Sequence, residues 1–283
     1  MKILVLGANG MIGSSMLRVL SRNDAWHVIG TVRQAGVEDG AKYRLLHGVD
    51  LTNPDHLTKV VRIVGPDIVV NCAGLTKHIP EGNEPVSAIT MNALLPHRLS
   101  GYCAITGARL IHVSTDCVFS GAKGNYLEVD VPDATDTYGR TKVLGEVTGP
   151  NALTLRTSTI GHELRTKRGL LEWFLVQDAC RGYRNARFSG LPTVEFAKIV
   201  RDVVIPNPTL TGLYHIGADA IDKFSLLRML ADEYGRSTRI EPDDDVRIDR
   251  SLNCAKFADA TGYRAPAWEE LIRAMHKDHI SRS

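Results

Sequence analysis

Nowhere in its 283 residues does the chain hold the roughly 18 uninterrupted apolar residues of a membrane-crossing helix, so no membrane partner is expected. Cysteine is sparse. Cys72, Cys103, Cys117, Cys180 and Cys254 are scattered, odd in number and never spaced C-x-x-C, which argues against a disulfide framework or a structural zinc site. A reduced, cytoplasmic setting follows as the simpler expectation, with no metal. Charge of one sign is missing as well: the formal net charge is +2 and no basic block stands out, so no nucleic-acid partner is expected. The apolar start is broken by Gly7, Asn9 and Gly10 and lacks a small-residue cleavage site, so a signal peptide is not expected. There is no repeat, no low-complexity tract, and no Pro/Gly/Ser linker that would separate two independent domains.

What remains is ordinary globular composition, 43% hydrophobic and 23% charged, in a chain long enough for one large α/β unit with a smaller lobe. Short apolar runs alternate with helical patterns. Lys2 to Leu6, Trp26 to Val32, Tyr43 to Leu46, Asp67 to Asn71 and Leu110 to Ser114 read as strands. Gly10 to Leu20 reads as a helix, and Asn53-Pro54 opens another to about Ile63, with asparagine as cap and proline first. Pro85 to Ala104 has the apolar spacing of a helix. The alternation predicts a doubly wound, Rossmann-type parallel sheet. Later, Leu153 to Arg156 and Leu213 to Ile216 read as strands, and Leu170 to Ala179, Ser225 to Tyr234 and Trp268 to Met275 as helices. Residues 1–158 are expected to form the cofactor domain, with segments near 189–217 returning to it. Residues 159–283 would mainly form an interleaved substrate lobe over the carboxyl ends of the strands, where open α/β sheets bind ligands.

The chemistry starts at Gly7-Ala8-Asn9-Gly10-Met11-Ile12-Gly13, between the first strand and its helix. Glycines there permit a tight turn and close approach of a pyrophosphate, and the helix N-terminus offers N–H groups to it. Gly7, Gly10, Met11, Ile12 and Gly13 are therefore cofactor-binding candidates; ordinary turns also use glycine, and position immediately after a first strand favours the dinucleotide. The second strand runs out at Arg33 without an acidic residue, which favours a 2′-phosphate, and so NADPH, with NADH as the lesser choice. The bland alternative is a solvated arginine. Asp50 and Leu51 follow the third strand, where they would meet the adenine or merely form a turn before the next helix. Cys72, Ala73 and Gly74 end the fourth strand with side chains small enough to lie against a cofactor, or form a simple turn.

Ser114-Thr115-Asp116 ends the fifth strand, and Tyr138 and Lys142 lie four apart on one face of the following helix. A tyrosine near neutrality trades protons poorly at its usual pKa of about 10. A nearby ammonium is expected to bring it toward working range. Thr115 can hydrogen-bond a carbonyl oxygen on which charge develops.

With these residues in order, the sequence resembles the extended short-chain dehydrogenase/reductases, and among them the dTDP-4-dehydrorhamnose reductase-like sugar-nucleotide reductases. The resemblance rests on KILVLGANGMIG, STDCVFSG, YGRTKVLGE and the late RIDRSLNCAKF, spanning residues 2–257. It implies that Tyr138 donates the proton, that Lys142 binds the nicotinamide ribose, and that Thr115 holds a 4-keto oxygen on a dTDP- or UDP-linked 6-deoxyhexose. Thr157 and Ser158 would flank the nicotinamide. Asp116, Trp173 and Arg247 would join Thr115 and Tyr138 in binding substrate, within the Gly161 to Trp173 and Arg247 to Ser251 stretches. Arginines there suit a diphosphate. A homodimer is a further possibility that the family suggests. Cys117 stands where the family usually has tyrosine, which points to a different sugar. A sugar-nucleotide epimerase of the same superfamily and a non-catalytic NADP-binding regulatory subunit are the alternatives. His276 and His279 are read as non-ligating, His112 as packed, and Trp26 and Trp268 as core residues.

Overall fold

Strand β1 (Lys2–Leu6) shows how the molecule is layered. Successive side chains of a strand point to opposite faces. Ile3 and Val5 accordingly enter one core cluster, while Leu4 and Leu6 enter another on the far face. Burial on both faces is the condition of a parallel sheet covered by helices. The computed structural model describes residues 1–34, 42–77, 79–164 and 167–281.

From β1 the chain passes through α1 (Met11–Leu20), β2 (His27–Thr31), β3 (Tyr43–Leu46), α2 (Pro54–Val64) and β4 (Ile68–Asn71). The expected cap of α2 is present: the Asn53 side chain accepts from the Asp55 and His56 N–H groups, and Gly65 ends the helix in the left-handed region at φ 53°. Two short helices follow, α3 (Pro80–Asn83) and α4 (Pro85–Ala88), then a π turn at Ile89–Leu94, then α5 (Leu95–Thr106). The single helix expected over Pro85 to Ala104 is thus widened in its middle. Pro96 has no N–H to give the Asn92 carbonyl four residues back, so the regular ladder cannot run through.

β5 (Arg109–Thr115), α6 (Thr137–Leu144), β6 (Ala152–Thr157), β7 (Thr159–Ile160) and α7 (Leu170–Phe174) come next. The helix expected from Leu170 to Ala179 stops at Phe174, and Ala179 opens β8 (Ala179–Tyr183) instead. After Leu175 the turns tighten, with Gln177 N–H on the Phe174 carbonyl, and the released segment pairs in parallel with a strand 60 residues on. That pairing is non-local, and apolar spacing within Leu170 to Ala179 carries no trace of it. The chain continues through β9 (Ala186–Phe188), β10 (Leu191–Pro192), α8 (Thr193–Ile199), β11 (Gly212–His215), β12 (Ile221–Asp222), α9 (Lys223–Glu233), β13 (Arg239–Asp243), β14 (Ile248–Asp249), α10 (Ala255–Thr261) and α11 (Trp268–Ile280).

Seven parallel strands form the central sheet in the order β11-β6-β5-β4-β1-β2-β3. The order reverses between β1 and β4, which opens the crevice where such sheets take ligands. β11 comes from the second half yet pairs with β6, and α8 packs on α1 through a 2.9 Å contact between the Ser15 and Thr193 hydroxyls. Three two- or three-stranded ribbons, β7 with β10, β8 with β13, and β9 with β12 and β14, build the remaining lobe. Among the described residues no helix is long and apolar enough to cross a membrane.

Candidate active site

At the β1–β4 crevice the glycines are forced by space. Gly7 has φ 74°, and a Cβ there would stand 2.9 Å from the Ala73 backbone; one on Gly13 would stand 2.0 Å from the Gly7 carbonyl. Only hydrogens fit, so the turn lies tight against both the helix start and the end of β4. Gly10 caps α1 without a side-chain hydrogen bond, so the capping residue takes none of the N–H groups of the first turn, where Met11, Ile12 and Gly13 sit. This cradle fits a dinucleotide diphosphate.

The other cofactor candidates divide. Cys72, Ala73 and Gly74 line the loop after β4; burial pushes the Cys72 thiol up to about 12, so it stays neutral and unreactive. Arg33 is exposed just past β2, and its charge reaches Asp50. Asp50 Oδ1 accepts from the Thr52 N–H (2.9 Å) and hydroxyl (2.7 Å), a turn that holds its carboxyl below the usual range. Leu51 turns its side chain into the second core cluster, leaving its backbone as the part that can face a ligand.

One side chain that sequence reasoning passed over fixes this loop. Asn92, on the π turn and 1% exposed, accepts from the Leu75 N–H (2.8 Å) and donates to the Leu75 carbonyl (3.0 Å) and the Thr141 hydroxyl (3.2 Å). It clamps the loop after β4 onto α6.

β5 delivers Thr115 to the same sheet edge. Its hydroxyl accepts from the Cys117 N–H and donates to Asp116 Oδ1, both at 3.1 Å. α6 is capped by Asp136, which accepts from Gly139 N–H at 2.6 Å. A Cβ on Gly139 would lie 2.5 Å from the Cys117 carbonyl, so this glycine lets α6 sit down on the chain after Thr115. The Tyr138 hydroxyl thereby comes into hydrogen-bonding reach of Thr115. Lys142, one turn on and 5% exposed, donates to the Val113 carbonyl at 2.8 Å.

The electrostatics depart from expectation at Tyr138. Burial, then Cys117, and after them Asp116 and Asp136, raise its pKa above the ordinary phenol value, and only the Thr115 hydrogen bond opposes them. Lys142 does not lower it, because its ammonium is turned to the Val113 carbonyl. The phenol therefore holds its proton firmly. Lys142 itself is pulled down to about 8 by burial, against the pull of Glu146 and Cys72. Behind it, Arg156 grips Glu146 through two 2.7 Å bonds, Ser114 donates to the same carboxylate at 2.7 Å, and Arg156 reaches His215 Nε2 at 3.2 Å. Burial raises the Asp116 carboxyl and pushes the Cys117 thiol up to about 11.

Of the substrate candidates, Arg247 is exposed, whereas Arg250 three residues on is the guanidinium that influences Asp116. Trp173 is 39% exposed on α7. His276 pairs with Glu233 at 2.9 Å and His279 stacks on His162 at 3.6 Å; among the described residues no such cluster is arranged to hold a metal ion. His112 and Trp268 are buried, Trp26 packs partly buried against the first cluster, and the described cysteines are all free. A cavity of about 580 Å³ lies past the end of β11, lined by Arg187, Gly217, Asp249, Asn253 and Tyr263 among others, and includes none of Thr115, Tyr138 or Lys142.

Compared with known proteins, residues 1–280 match the family model of the RmlD substrate binding domain. The chain belongs to this family. Among curated relatives, "Probable low-salt glycan biosynthesis reductase Agl14" of Haloferax volcanii is 34% identical over 56% of this chain and 54% of its own length. The dTDP-4-dehydrorhamnose reductase of Burkholderia thailandensis is 33% identical over 56% and 50%. The chain thus spans about half the length of these relatives. Methionine adenosyltransferase 2 subunit beta of Xenopus tropicalis is 23% identical over 94% of this chain and 84% of its own. A crystal structure of dTDP-4-dehydrorhamnose reductase from Bacillus anthracis, in complex with NADP, shares the fold at TM-score 0.82 and 19% identity, covering 98% and 99%.

Proposed function

We propose that the chain is a cytoplasmic, NADPH-dependent reductase of a 4-keto-6-deoxy sugar carried on a nucleotide, as in the making of deoxysugars for surface polysaccharides. The observation that carries this reading is the meeting of the Tyr138 hydroxyl with Thr115 on the sheet edge that also holds the glycine turn. Residues 1–158, with 189–217 returning, take the cofactor, and residues 159–283 mainly take the sugar nucleotide. Gly7, Gly10, Met11, Ile12 and Gly13 hold the diphosphate, Arg33 the 2′-phosphate, and Asp50 and Leu51 the adenine end. Cys72, Ala73 and Gly74 lie alongside, and NADH is the weaker alternative. NADPH supplies the hydride when bound.

The chain's own residues manage the proton. Thr115 orients the keto oxygen and Tyr138 gives its proton to that oxygen as negative charge builds on it. A phenol whose pKa is raised keeps its proton until the oxygen becomes the stronger base. Lys142 holds the nicotinamide ribose, with its ammonium anchored on the Val113 carbonyl. Trp173 and the arginines of the late loop enclose the sugar nucleotide, and Arg250 lies within electrostatic range of Asp116. A homodimer is compatible with this arrangement, since one chain carries the whole catalytic set.

Tyr138→Phe tests the assignment. Turnover should drop about 10²- to 10⁴-fold, the usual worth of a positioned acid, with NADPH affinity unchanged. Full activity in that variant would remove Tyr138 from the mechanism. A second reading, a non-catalytic NADP-binding subunit, is favoured by the near full-length similarity to methionine adenosyltransferase 2 subunit beta. It predicts cofactor binding without turnover.

A further inference from the structure

β4 and β5 run side by side toward the cofactor crevice, and two buried polar side chains meet between them. Asn71 and His112 are register partners in the parallel ladder, and both are buried. Asn71 Oδ1 accepts from the Ala73 N–H at 3.1 Å, and its Nδ2 lies 3.1 Å from His112 Nδ1. A backbone N–H can only donate, so the amide oxygen faces Ala73 and the NH2 faces the ring. The NH2 in turn can only donate, so His112 Nδ1 accepts and the ring proton sits on Nε2.

Nε2 is buried too, and it has no hydrogen-bond partner among the described residues. An apolar side chain of similar size would fill this space without burying a donor, so packing alone is no reason for a histidine here. What the ring adds is an acceptor at the point where the Asn71 NH2 lies. Burial holds His112 well below its ordinary pKa, and the charges of Lys142 and His97 act in the same direction. The ring therefore stays neutral, and Nδ1 stays an acceptor.

The effect reaches the crevice through Ala73. A Cβ on Gly7 would stand 2.9 Å from the Ala73 Cα, so the clearance between the glycine turn and the loop after β4 depends on where Ala73 is held. The far end of that loop is pinned separately, with Asn92 bonding both the N–H and the carbonyl of Leu75. Without an acceptor in the ring, the Asn71 amide is free to turn, and the Ala73 end of the clamp is lost while the Leu75 end remains.

We propose that His112 is a positioning residue for the cofactor: by orienting the Asn71 amide it fixes Ala73 against the glycine turn and preforms the dinucleotide crevice. The inference rests on the reading of that turn as the cofactor site. His112 acts from beneath the crevice, through Asn71, so its loss is felt in cofactor affinity.

Titration of the purified protein with NADPH, followed by nicotinamide fluorescence and paired with thermal melting, tests this. His112→Asn keeps an oxygen acceptor close to the place of Nδ1, whereas His112→Leu keeps bulk and removes the acceptor. Both should melt below wild type. His112→Leu should weaken NADPH about tenfold, and His112→Asn should hold it within about threefold of wild type. Asn71→Leu, which frees Ala73 from the other partner, should lose as much as His112→Leu and carries the test if that variant does not fold. Unchanged NADPH affinity in the leucine variants would overturn the inference, as would equal losses in His112→Leu and His112→Asn, which a merely structural role predicts. Wild-type protein that takes no NADPH would overturn the cofactor reading itself, and the inference with it.

Discussion

The Arg156–Glu146 pair is the strongest structural prediction, because it is buried and sits directly behind the candidate catalytic lysine. Arg156 is 2% exposed and the Glu146 side chain 9%. Replacing Arg156 with Met keeps most of the volume and removes two charge-assisted bonds to Glu146, one bond to His215, and the cation that lies 5.0 Å from the Phe119 ring centre. Among the described residues Glu146 then keeps the Ser114 hydroxyl as its hydrogen-bond partner, with the Lys142 ammonium in electrostatic range. Breaking a buried pair from one side costs about 3–5 kcal/mol, since a bare charge is left in a poor solvent. That is a large part of a total stability of about 5–15 kcal/mol. At roughly 2–4 °C per kcal/mol for a chain near this size, melting should fall by roughly 6–20 °C. Denaturant unfolding and thermal melting of Arg156→Met, Glu146→Gln and the double variant measure it. The double variant should recover much of the loss, because no unpaired charge remains. Arg156→Met within about 1 kcal/mol of wild type, or a double variant no more stable than that single one, would refute the reasoning.

Two other outcomes follow from the site and its surroundings. Burial, helped by Arg156, pulls His215 from 6.5 to about 4, so the folded chain refuses a proton that the unfolded chain accepts. The stability this gives is intact above pH 6.5 and lost as pH falls toward 4, by roughly 3 kcal/mol at 1.36 kcal/mol per pKa unit. His215→Gln should therefore flatten the stability profile between those pH values, and an unchanged slope would contradict it. Arg33→Ala should weaken NADPH by at least about tenfold while leaving NADH little altered, measured by nicotinamide fluorescence. Equal losses for the two cofactors would detach Arg33 from the 2′-phosphate.

Much of this was legible in the sequence because its signals are local. The glycine turn, the Asn53-Pro54 helix start and the strand ends at Asn71 and Thr115 depend on neighbours a few residues away, and the structure places them where the pattern does. Tyr138 and Lys142 were readable through their spacing on one helix face. Asn92 was not: it meets Leu75 and Thr141 across 17 and 49 residues and stands in no local pattern that sets it apart from a surface amide. The shortening of α7 has the same origin, since β8 exists only because β13 is there to pair with it. Pro96 was a visible cue to the broken helix, as its missing N–H dictates a widened turn.

The central claim is tested most directly by following the loss of reduced-nicotinamide absorbance when the purified protein meets NADPH and a panel of dTDP-, UDP- and GDP-linked 4-keto-6-deoxy sugars, each made in place by a 4,6-dehydratase. Oxidation of NADPH with at least one member, abolished in Tyr138→Phe, is the predicted result. Demonstrable NADPH binding with no oxidation by any member would contradict the reductase and favour an epimerase or a non-catalytic subunit.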